Sequence, residues 1–481
     1  MKNKKEENFN EWFNEVINEN ELVDDRYNVK GFIIYREWCA QSLKKMYNIY
    51  ENALNEKDHK PLFMPIVIPE ENFFKEAEHV QGFTPEVFWV TEHGDGEKLE
   101  KRLALRPTSE TAFYQMYSLW IRSHNDLPYK RYQSGSVYRY ETKATRPFLR
   151  GREFFWIETH CAYPNEKSAR EHIQEDMETT KEVIGDIFGI PFIFFKRPRW
   201  DKFAGAVDTF AADTITSNGK FLQTATTHYL GTRFAKAFDV KYKTETGTDE
   251  LAHLTCYGPG MTRIYGTIVA VHSDNKGLRL PFDIAPTQIV IVPILIKGKE
   301  EEVLKKATEI LTNLKKAGYS VELDDKQKSP GEKFFMWEMK GVPIRIDIGP
   351  KDIENNQVAI FRRDLNTKEF VKETDLQKTI EKIETEFTKN LKSQAEKTFA
   401  TQIVPVNSMV ELEKVIKENK IGKAPFCSID DDDGEKAAEE IKDKTGAEVR
   451  GADLVEKQKP NEKCIVSGKP ATCYVYIGKS Y

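Results

Sequence analysis

The sequence predicts a mixed α/β protein of about three domains, and three observations support this. The chain has 481 residues, against roughly 150 for a typical domain. Its first half combines helical periodicity with segments that alternate like antiparallel strands, whereas the part from Gln288 onward alternates strands with helices. A hydrophobic fraction of 39% and a charged fraction of 31% exclude a disordered or fibrous chain.

The first predicted elements are two helices and a strand. A second helix is expected over about residues 32–54, and the run PLFMPIVIP that follows predicts a buried strand. Because proline lacks the N–H that a strand ladder needs, its three prolines confine this strand to an edge or an end of a sheet, a natural place for a second subunit. The first helix is predicted from helical spacing at Phe9, Trp12, Phe13, Val16 and Ile17.

The segment from Ser136 to His160 predicts two antiparallel strands joined by a polar loop. Apolar and polar residues alternate in VYRYE and in EFFWIETH, on either side of a stretch rich in Arg, Lys and Thr. Such a hairpin can aim planar guanidinium groups at phosphates or carboxylates. A solvated hairpin with surface ion pairs fits the composition equally well.

The chain from Gln288 predicts a small α/β domain that ends with a long helix near residue 391. The residues from about 401 hold the acidic cluster Asp430–Asp433 and three of the six cysteines, and they are typical of a separate unit. The predicted domains are therefore residues 1–285, 286–400 and 401–481.

Charge and composition predict a cytoplasmic protein that is not membrane-bound. No apolar run approaches the roughly 20 residues that cross a bilayer, and the N-terminus is polar. Six scattered cysteines favour a reducing compartment, and the net charge of −5 excludes no partner. The sequence has no phosphate-binding glycine loop, HExxH helix or GxSxG turn, so a bound nucleotide would not lie on a glycine-rich turn.

Several short motifs occur in a specific order. A long helix and strand ending at Pro65 come first, then RPTSE at Arg106–Glu110, Arg139-x-Glu141 with FLRGREFFWIETH, GPGMTRIYG around Arg263, and HSDNKGLRLP. In this order and spacing the chain resembles the class II aminoacyl-tRNA synthetases, and closely the prolyl-tRNA synthetases of the archaeal and eukaryotic type, over nearly its whole length. The resemblance implies an antiparallel catalytic sheet with flanking helices, an α/β anticodon-binding domain and a small zinc-ribbon-like α+β C-terminal domain.

The resemblance also implies an activity. Such an enzyme activates L-proline with ATP to prolyl-adenylate and pyrophosphate, transfers proline to the 3′ end of proline tRNA, and works as a homodimer. An inactive or regulatory paralogue, or a synthetase for threonine, serine or glycine, are the alternatives. The retained Arg139, Arg150 and Arg263 favour an active enzyme, while Thr108-x-Glu110 with an aromatic pocket favours proline.

The resemblance assigns the catalytic roles to Arg139, Glu141 and Arg263. Arg139 is expected to hold the α-phosphate and the substrate carboxylate, and Glu141 the adenine amine. Phe154 and Arg263 would lie on the two faces of the purine. The remaining nucleotide residues would be Arg150 and Arg152 at the outer phosphates, and Gln223 and Thr226 for Mg²⁺ and nucleotide.

The amino-acid pocket has to fit a secondary ammonium and a compact ring. Thr108 and Glu110 are expected to hold the ammonium, and Arg139 the carboxylate. The ring would be surrounded by Trp156, Phe203, His160 and His228, with Glu158 bracing the floor. Because one methylene is worth only about 1–3 kcal/mol, alanine and cysteine should be misactivated.

Anticodon contacts are expected from Glu338, Arg345 and Lys351. Zinc is left open at Cys427, Cys464 and Cys473, because four-thiolate coordination needs one more cysteine than these three. Either an aspartate and Cys473 complete a mixed site, or the metal is lost. Bacterial-type relatives carry an editing domain between motifs two and three, where this chain has only about ninety residues, so we expect no editing in cis.

Overall fold

The computed structural model describes residues 1–73, 86–456 and 458–481. The helix Phe9–Glu19 buries the five predicted apolar residues, and the second helix, Glu37–Glu56, begins five residues later than expected. In the described ranges no helix is long and apolar enough to cross a bilayer.

The run PLFMPIVIP differs from the prediction of one buried strand. It contributes to two short strands, Lys60–Pro61 and Val67–Pro69, and Phe63 between them is 93% exposed. Prolines cannot donate to a ladder, so pairing stops after two or three residues. The predicted edge position is confirmed, because Lys60–Pro61 is the last strand of the large sheet, paired with Arg131–Tyr132.

An eleven-stranded sheet forms the centre of the molecule. Its six middle strands are antiparallel neighbours, and the predicted hairpin is confirmed by the pairing of Tyr138 with Glu153. From the Lys60–Pro61 edge the strands are Tyr129–Tyr138, Glu153–Tyr163, His253–Pro259, Lys220–Gly231, Asp208–Ile215, Ile193–Lys196, Glu448–Asp453, Cys473–Ser480, Ile421–Phe426 and Ile403–Pro405.

The C-terminal residues share this sheet, although the sequence predicted a separate unit. Ala452 pairs with Lys196, and Lys479 pairs with Lys220 in parallel. The region still has an apolar core of its own beneath the helices Met409–Lys417 and Asp432–Thr445. Edge-to-edge strand pairing leaves no motif in a sequence, and the patterning of each strand alone could not show it.

Helices cover the catalytic part of the sheet. They are Glu110–Trp120, Glu166–Thr180, which continues as the π-helix Lys181–Ile187, Arg233–Phe238 and Met261–His272. Small sheets at the periphery are Val23–Asp24 with Ile34–Tyr35, Val67–Pro69 with Lys98–Leu105 and Trp89–Glu92, and Lys241–Lys243 with Asp249–Leu251.

The middle region is the predicted α/β domain. Its sheet has the order Val321–Leu323, Ile289–Pro293, Ile344–Ile348, Gln357–Arg362 and Thr367–Lys372. Its helices are Glu300–Lys316, Pro330–Met339, Pro350–Glu354 and Leu376–Thr401. The closing helix buries one apolar stripe, as its periodicity predicts. The last strand and the five-residue helix were not predicted, because both are short and polar.

Candidate active site

A cleft of about 560 Å³ lies against the middle strands of the large sheet. It collects nearly all of the residues predicted for nucleotide and proline binding, although they are spread over more than 150 positions of the chain. Those lining it are Thr108, Glu110, Arg139, Glu141, Arg150, Phe154, Trp156, Glu158, His160, Phe203, Gln223, Thr226, His228 and Arg263.

One glycine positions the loop that carries Arg150. A Cβ at Gly266, on the helix Met261–His272, would lie 2.5 Å from the Cβ of Phe148, so only glycine lets this loop pack on the helix. Phe148 itself has a positive φ of 64°, which turns the loop back over the cleft. The contact brings Arg150 and Arg263 to the same end of the cleft.

This end of the cleft carries guanidinium groups with few acidic partners. Arg139 donates from Nε to the carbonyl of Pro107 at 3.1 Å, and Arg263 donates to the carbonyl of Leu149 at 3.2 Å. Among the described residues, neither arginine has a carboxylate oxygen within 4.0 Å, whereas Arg150 pairs with Glu141 at 3.2 Å. Neither guanidinium therefore has a direct ion pair among the described residues, although Glu110, Glu158 and Glu141 attract the charge of Arg139 through space.

Other positive charges lie close to Arg263. Burial, together with repulsion from Arg139 and Arg150, lowers its pKa to about 10, so it is still protonated at neutral pH. Like charges held this close are stabilised by a bound polyanion. A triphosphate is the ligand class that fits this end of the cleft.

Aromatic rings flank Arg139. Its guanidinium carbon lies 5.2 Å from the ring centre of Phe154 and 5.5 Å from that of Trp156. Arg152 is placed differently, because it stacks 4.4 Å from the Tyr140 ring and donates to the carbonyl of Glu141, outside the lining of the cleft.

The other end of the cleft contains a buried carboxylate held by several donors. Glu158 accepts hydrogen bonds from the Thr108 hydroxyl, the Ser109 amide and His160 Nε2, each at 3.1 Å. Burial opposes its charge, but His160 and the other donors, among them Gln133, bring the pKa of Glu158 to about 2. Burial likewise opposes a charged His160, yet Glu158 and Glu110 raise its pKa. Glu158 and His160 thus form an internal ion pair.

Glu110 has no such partner. It is 5% exposed, shares the single Thr108 hydroxyl proton with Glu158, and accepts at 3.7 Å from the Cys256 thiol. In the described part of the chain no basic group lies within 4.0 Å of its carboxylate. Its ligand atom also lies within 4.8 Å of those of His160 and Cys256. A buried carboxylate of this kind is suited to a cationic ligand.

The cleft is also lined by uncharged rings, those of His228 and Phe203. His228 shares a 2.9 Å hydrogen bond with Thr209, and its ring centre lies 5.0 Å from that of Phe203. Burial first, and then the nearby His160 and Arg197, lowers the pKa of His228 to about 3, so the ring is neutral. Together with Trp156 it forms a compact surface for an apolar group.

The sequence missed a buried charge network at the nucleotide end. Arg197 and Arg450 both donate to Asp213, and Arg197 also reaches the Gln223 Oε1 at 2.9 Å. Burial opposes the charge of Asp213, but the two arginines lower its pKa. Arg450 comes from the C-terminal region and lines the cleft, which only the shared sheet reveals.

The predicted anticodon residues lie apart from the cleft. Arg345 is 5% exposed, donates to Glu338 at 2.9 Å and to Asp347 at 2.8 Å, and stacks 3.8 Å from Phe334. Lys351 is exposed at the start of the helix Pro350–Glu354.

Cys427 and Cys464 contact each other and Ser467, but with Cys473 they do not form a compact group of three ligand atoms in the described residues. Cys427 and Cys464 are buried and Cys473 is half-buried. In the described residues, these sulfurs are not part of any set of three His, Cys, Asp or Glu ligand atoms within 4.8 Å of one another. The donor set there does not fit the three-ligand or four-ligand zinc site that the sequence left open.

Three family models match the chain. Residues 88–272 match the tRNA synthetase class II core domain (G, H, P, S and T), residues 288–386 the anticodon binding domain, and residues 409–481 the prolyl-tRNA synthetase C-terminal domain.

Individual proteins match over almost the full length. A proline–tRNA ligase of Thermofilum pendens is 48% identical over 99% of this chain and 98% of its own, and one of Methanobrevibacter smithii is 40% identical over 99% and 100%. The solved structure of Giardia lamblia prolyl-tRNA synthetase in complex with prolyl-adenylate superposes with a TM-score of 0.96 at 35% identity, covering 99% of both chains.

Proposed function

The chain belongs to the prolyl-tRNA synthetases of the archaeal and eukaryotic type and is a proline–tRNA ligase, and we propose that the cleft performs both the activation of proline and its transfer to tRNA. The observation that carries this proposal is that one cleft contains two guanidiniums, those of Arg139 and Arg263, and one buried carboxylate, that of Glu110. None of the three has a direct ion pair in the described residues.

In the first step, the proline carboxylate attacks the α-phosphorus of ATP and pyrophosphate leaves. The attacking group is already an anion, so no general base is required. Arg139 interacts through space with Glu110 and Glu158 at one end of the cleft and with Glu141 at the other, so it can hold the proline carboxylate and the α-phosphate at reacting distance. Arg150 and Arg263 neutralise the charge that develops on the phosphates. Catalysis here is positioning and electrostatic stabilisation.

Adenine binds beside these arginines. Phe154 and Arg263 take the two faces of the purine, and Glu141 accepts from its exocyclic amine. Glu141 pairs with Arg150 through Oε1, so its second oxygen can accept from the adenine amine while other N–H groups of Arg150 reach phosphate oxygens.

A Mg²⁺ ion bound to ATP would supply charge neutralisation of the phosphates. Gln223 and Thr226 line the cleft and offer neutral oxygens, which fits an ion that is held mainly by phosphates and water. The Gln223 Oε1 already accepts from Arg197, and its second lone pair remains for the ion or its water.

Proline binds at the carboxylate end. Its ammonium pairs with Glu110, because Glu158 is already neutralised by His160. The neutral His228, Phe203 and Trp156 enclose the ring. A secondary ammonium offers two donors, which Thr108 and Glu110 can accept.

An amino-acid-dependent ATP–pyrophosphate exchange assay over the twenty amino acids tests this assignment. Proline should give the fastest exchange, with slower exchange for alanine and cysteine. Arg139→Ala should lower the proline signal by about 10²–10³-fold, while Arg26→Ala, which alters an exposed ion pair far along the chain, should leave it intact. Exchange that survives in Arg139→Ala would contradict the mechanism, even within this family.

A homodimer completes the proposal. Phe63, Ile66 and Val67, on the run that follows the edge strand, are 93%, 48% and 38% exposed. Apolar side chains grouped at a sheet edge are typical of a subunit interface. Sedimentation should show a dimer for the native chain and a monomer for Phe63→Asp, and a native monomer would exclude this interface.

The middle domain is proposed to bind the anticodon of proline tRNA through Glu338, Arg345 and Lys351. Lys351 is exposed and available to the nucleic acid. Arg345 and Glu338 hold each other, so base contacts by either require that this pair open. The cytoplasmic location remains a prediction.

A further inference from the structure

A second cluster of reactive side chains lies behind the proline pocket. Along the strand Glu153–Tyr163, successive side chains point to opposite faces, so Cys161 points away from the cleft into which His160 projects. There it meets His59 and His172, and all three are buried, at 0%, 1% and 3% exposure. One ligand atom from each lies within 4.8 Å of the other two.

Both imidazoles are oriented so that Nε2 is free. His59 Nδ1 lies 3.2 Å from the carbonyl of Leu54, and His172 Nδ1 lies 3.2 Å from the carboxylate of Glu175. Each Nδ1–H can therefore donate outward, which leaves the Nε2 lone pair pointing inward. This is the tautomer and the outer partner that metal-binding histidines commonly have.

Several buried polar atoms around this point lack hydrogen-bond partners. His59 Nε2, His172 Nε2 and Asp176 Oδ1 make no hydrogen bond of good geometry in the described structure. Both imidazoles interact with the Cys161 thiol, and His172 Nε2 lies 3.5 Å from Asp176 Oδ1. Asp176 is 1% exposed, and its other oxygen accepts from Thr227 at 2.7 Å. Unpaired buried polar atoms are costly, so a group of them around one point indicates a missing binding partner.

We propose that Cys161, His59 and His172 bind a structural zinc ion, with Asp176 at the fourth position. The mixture of one thiolate and two imidazoles is the donor set that a borderline-soft divalent cation such as Zn²⁺ prefers. Asp176 Oδ1 lies 3.5 Å from His172 Nε2, beside the three ligands. The charges of the thiolate and the carboxylate balance those of the ion, and Glu175 is neutralised separately by Lys130 at 2.7 Å.

The position of the cluster defines its role. His59 precedes the edge strand Lys60–Pro61, Cys161 lies in the central strand, and His172 and Asp176 lie on the helix Glu166–Thr180. The ion would therefore join the start of the edge strand, the strand Glu153–Tyr163 and the helix Glu166–Thr180, next to the proposed dimer edge. No ligand faces the cleft, so the ion supports the catalytic strand and takes no part in the reaction.

Metal analysis of the untagged full-length protein tests the proposal. Wild type should hold about one equivalent of zinc. The matched control is Cys427→Ser with Cys464→Ser, which removes the two buried C-terminal thiols and should keep that zinc. His59→Gln and Cys161→Ala should each lose it. Zinc lost from the double serine variant but kept by His59→Gln would overturn the assignment, as would wild type that holds no zinc after dialysis against the ion.

Spectroscopy on wild type keeps the test independent of whether the variants fold. X-ray absorption should show one sulfur at about 2.3 Å and three nitrogen or oxygen ligands at about 2.0–2.1 Å. A site with two or more sulfurs would place the metal at the C-terminal cysteines and contradict the proposal. Removal of the ion by a chelator should also lower Tm, whereas an unchanged Tm would show that it does not fasten these elements.

Discussion

Arginines of the cleft and of the anticodon-binding domain are embedded in opposite ways. Arg139 and Arg263 contact backbone carbonyls and aromatic rings, with no carboxylate within 4.0 Å in the described residues. Arg345 is held by both Glu338 and Asp347. The two cleft arginines thus have no direct ion pair within the described part of the chain, whereas Arg345 in the anticodon-binding domain has two.

This difference separates binding charges from structural ones. A guanidinium without an acidic partner gains most from an anionic ligand, and its removal leaves no buried carboxylate behind. A paired buried guanidinium stabilises the fold, and its removal leaves its partner uncompensated. Activity should therefore respond to changes at Arg139, and stability to changes at Arg345.

The largest effect is expected at Arg139. Arg139→Ala should lower kcat/KM for proline-dependent exchange by about 10²–10³-fold, because it removes a donor aimed at the reacting groups. The free energy of unfolding should change by less than about 1 kcal/mol, since no direct ion pair is broken and only the through-space attraction to Glu110, Glu158 and Glu141 is lost. Steady-state exchange and urea denaturation measure the two quantities. Arg139→Lys, which keeps the charge but not the planar guanidinium, should recover only part of the rate. A large loss of stability in either variant would show that Arg139 is a structural charge as well as a binding one.

At Arg345 we expect a loss of stability without a loss of exchange activity. Arg345→Met should cost about 3 kcal/mol of unfolding free energy, because Asp347, which is fully buried, then keeps only Lys368 as a basic partner among the described residues. Exchange per folded molecule should stay at the wild-type level. The double variant Arg345→Met with Asp347→Leu should regain part of the stability. If Arg345→Met is as stable as wild type but binds tRNA poorly, the arginine serves the anticodon rather than the fold.

The sequence predicts the cleft well because its residues lie in short, ordered motifs. Thr108, Glu110, Arg139 and Arg263 each belong to a motif, and each lines the cleft. Arg197, Asp213 and Arg450 belong to none, and they meet only because the C-terminal strand Glu448–Asp453 pairs with Ile193–Lys196. Long-range strand pairing of this kind cannot be inferred from local patterns.

The buried cluster behind the proline pocket could not be predicted for the same reason, since it also depends on long-range packing. His59, Cys161 and His172 are far apart in the chain, with no metal-ligand spacing between them. Alternation along one strand places Cys161 opposite His160, but what lies behind that strand depends on how the helix Glu166–Thr180 packs. The run PLFMPIVIP, which begins in the edge strand Lys60–Pro61, shows the reverse error. Its apolar character suggested one buried strand, whereas the missing proline N–H groups limit pairing to two short strands and Phe63 between them is exposed.

A smaller effect on catalysis is expected at Glu110. Glu110→Gln keeps the shape but removes the charge, and a hydrogen bond to a charged group is worth about 1.5–3 kcal/mol, so KM for proline should rise about 10–100-fold. KM for ATP should be nearly unchanged, because the phosphates bind at the other end of the cleft. Initial-rate exchange kinetics separate the two. Glu158→Gln, by contrast, should lower Tm, because it breaks the buried pair with His160. An equal rise in both KM values would place Glu110 outside the amino-acid pocket.

The smallest effect is expected at Lys351, which is exposed and makes no ion pair with the described residues. If this lysine contacts a phosphate of the anticodon loop, Lys351→Ala should weaken tRNA binding less than tenfold. It should also reduce the slope of log K against log salt by about 0.7, the value for one contact to a single strand. Filter binding of proline tRNA over a range of salt concentrations measures the slope, and Lys378→Ala on the closing helix, also exposed, is the matched control. An unchanged slope for Lys351→Ala would remove it from the tRNA footprint and leave Arg345, despite its internal pairs, as the remaining predicted cation for the anticodon.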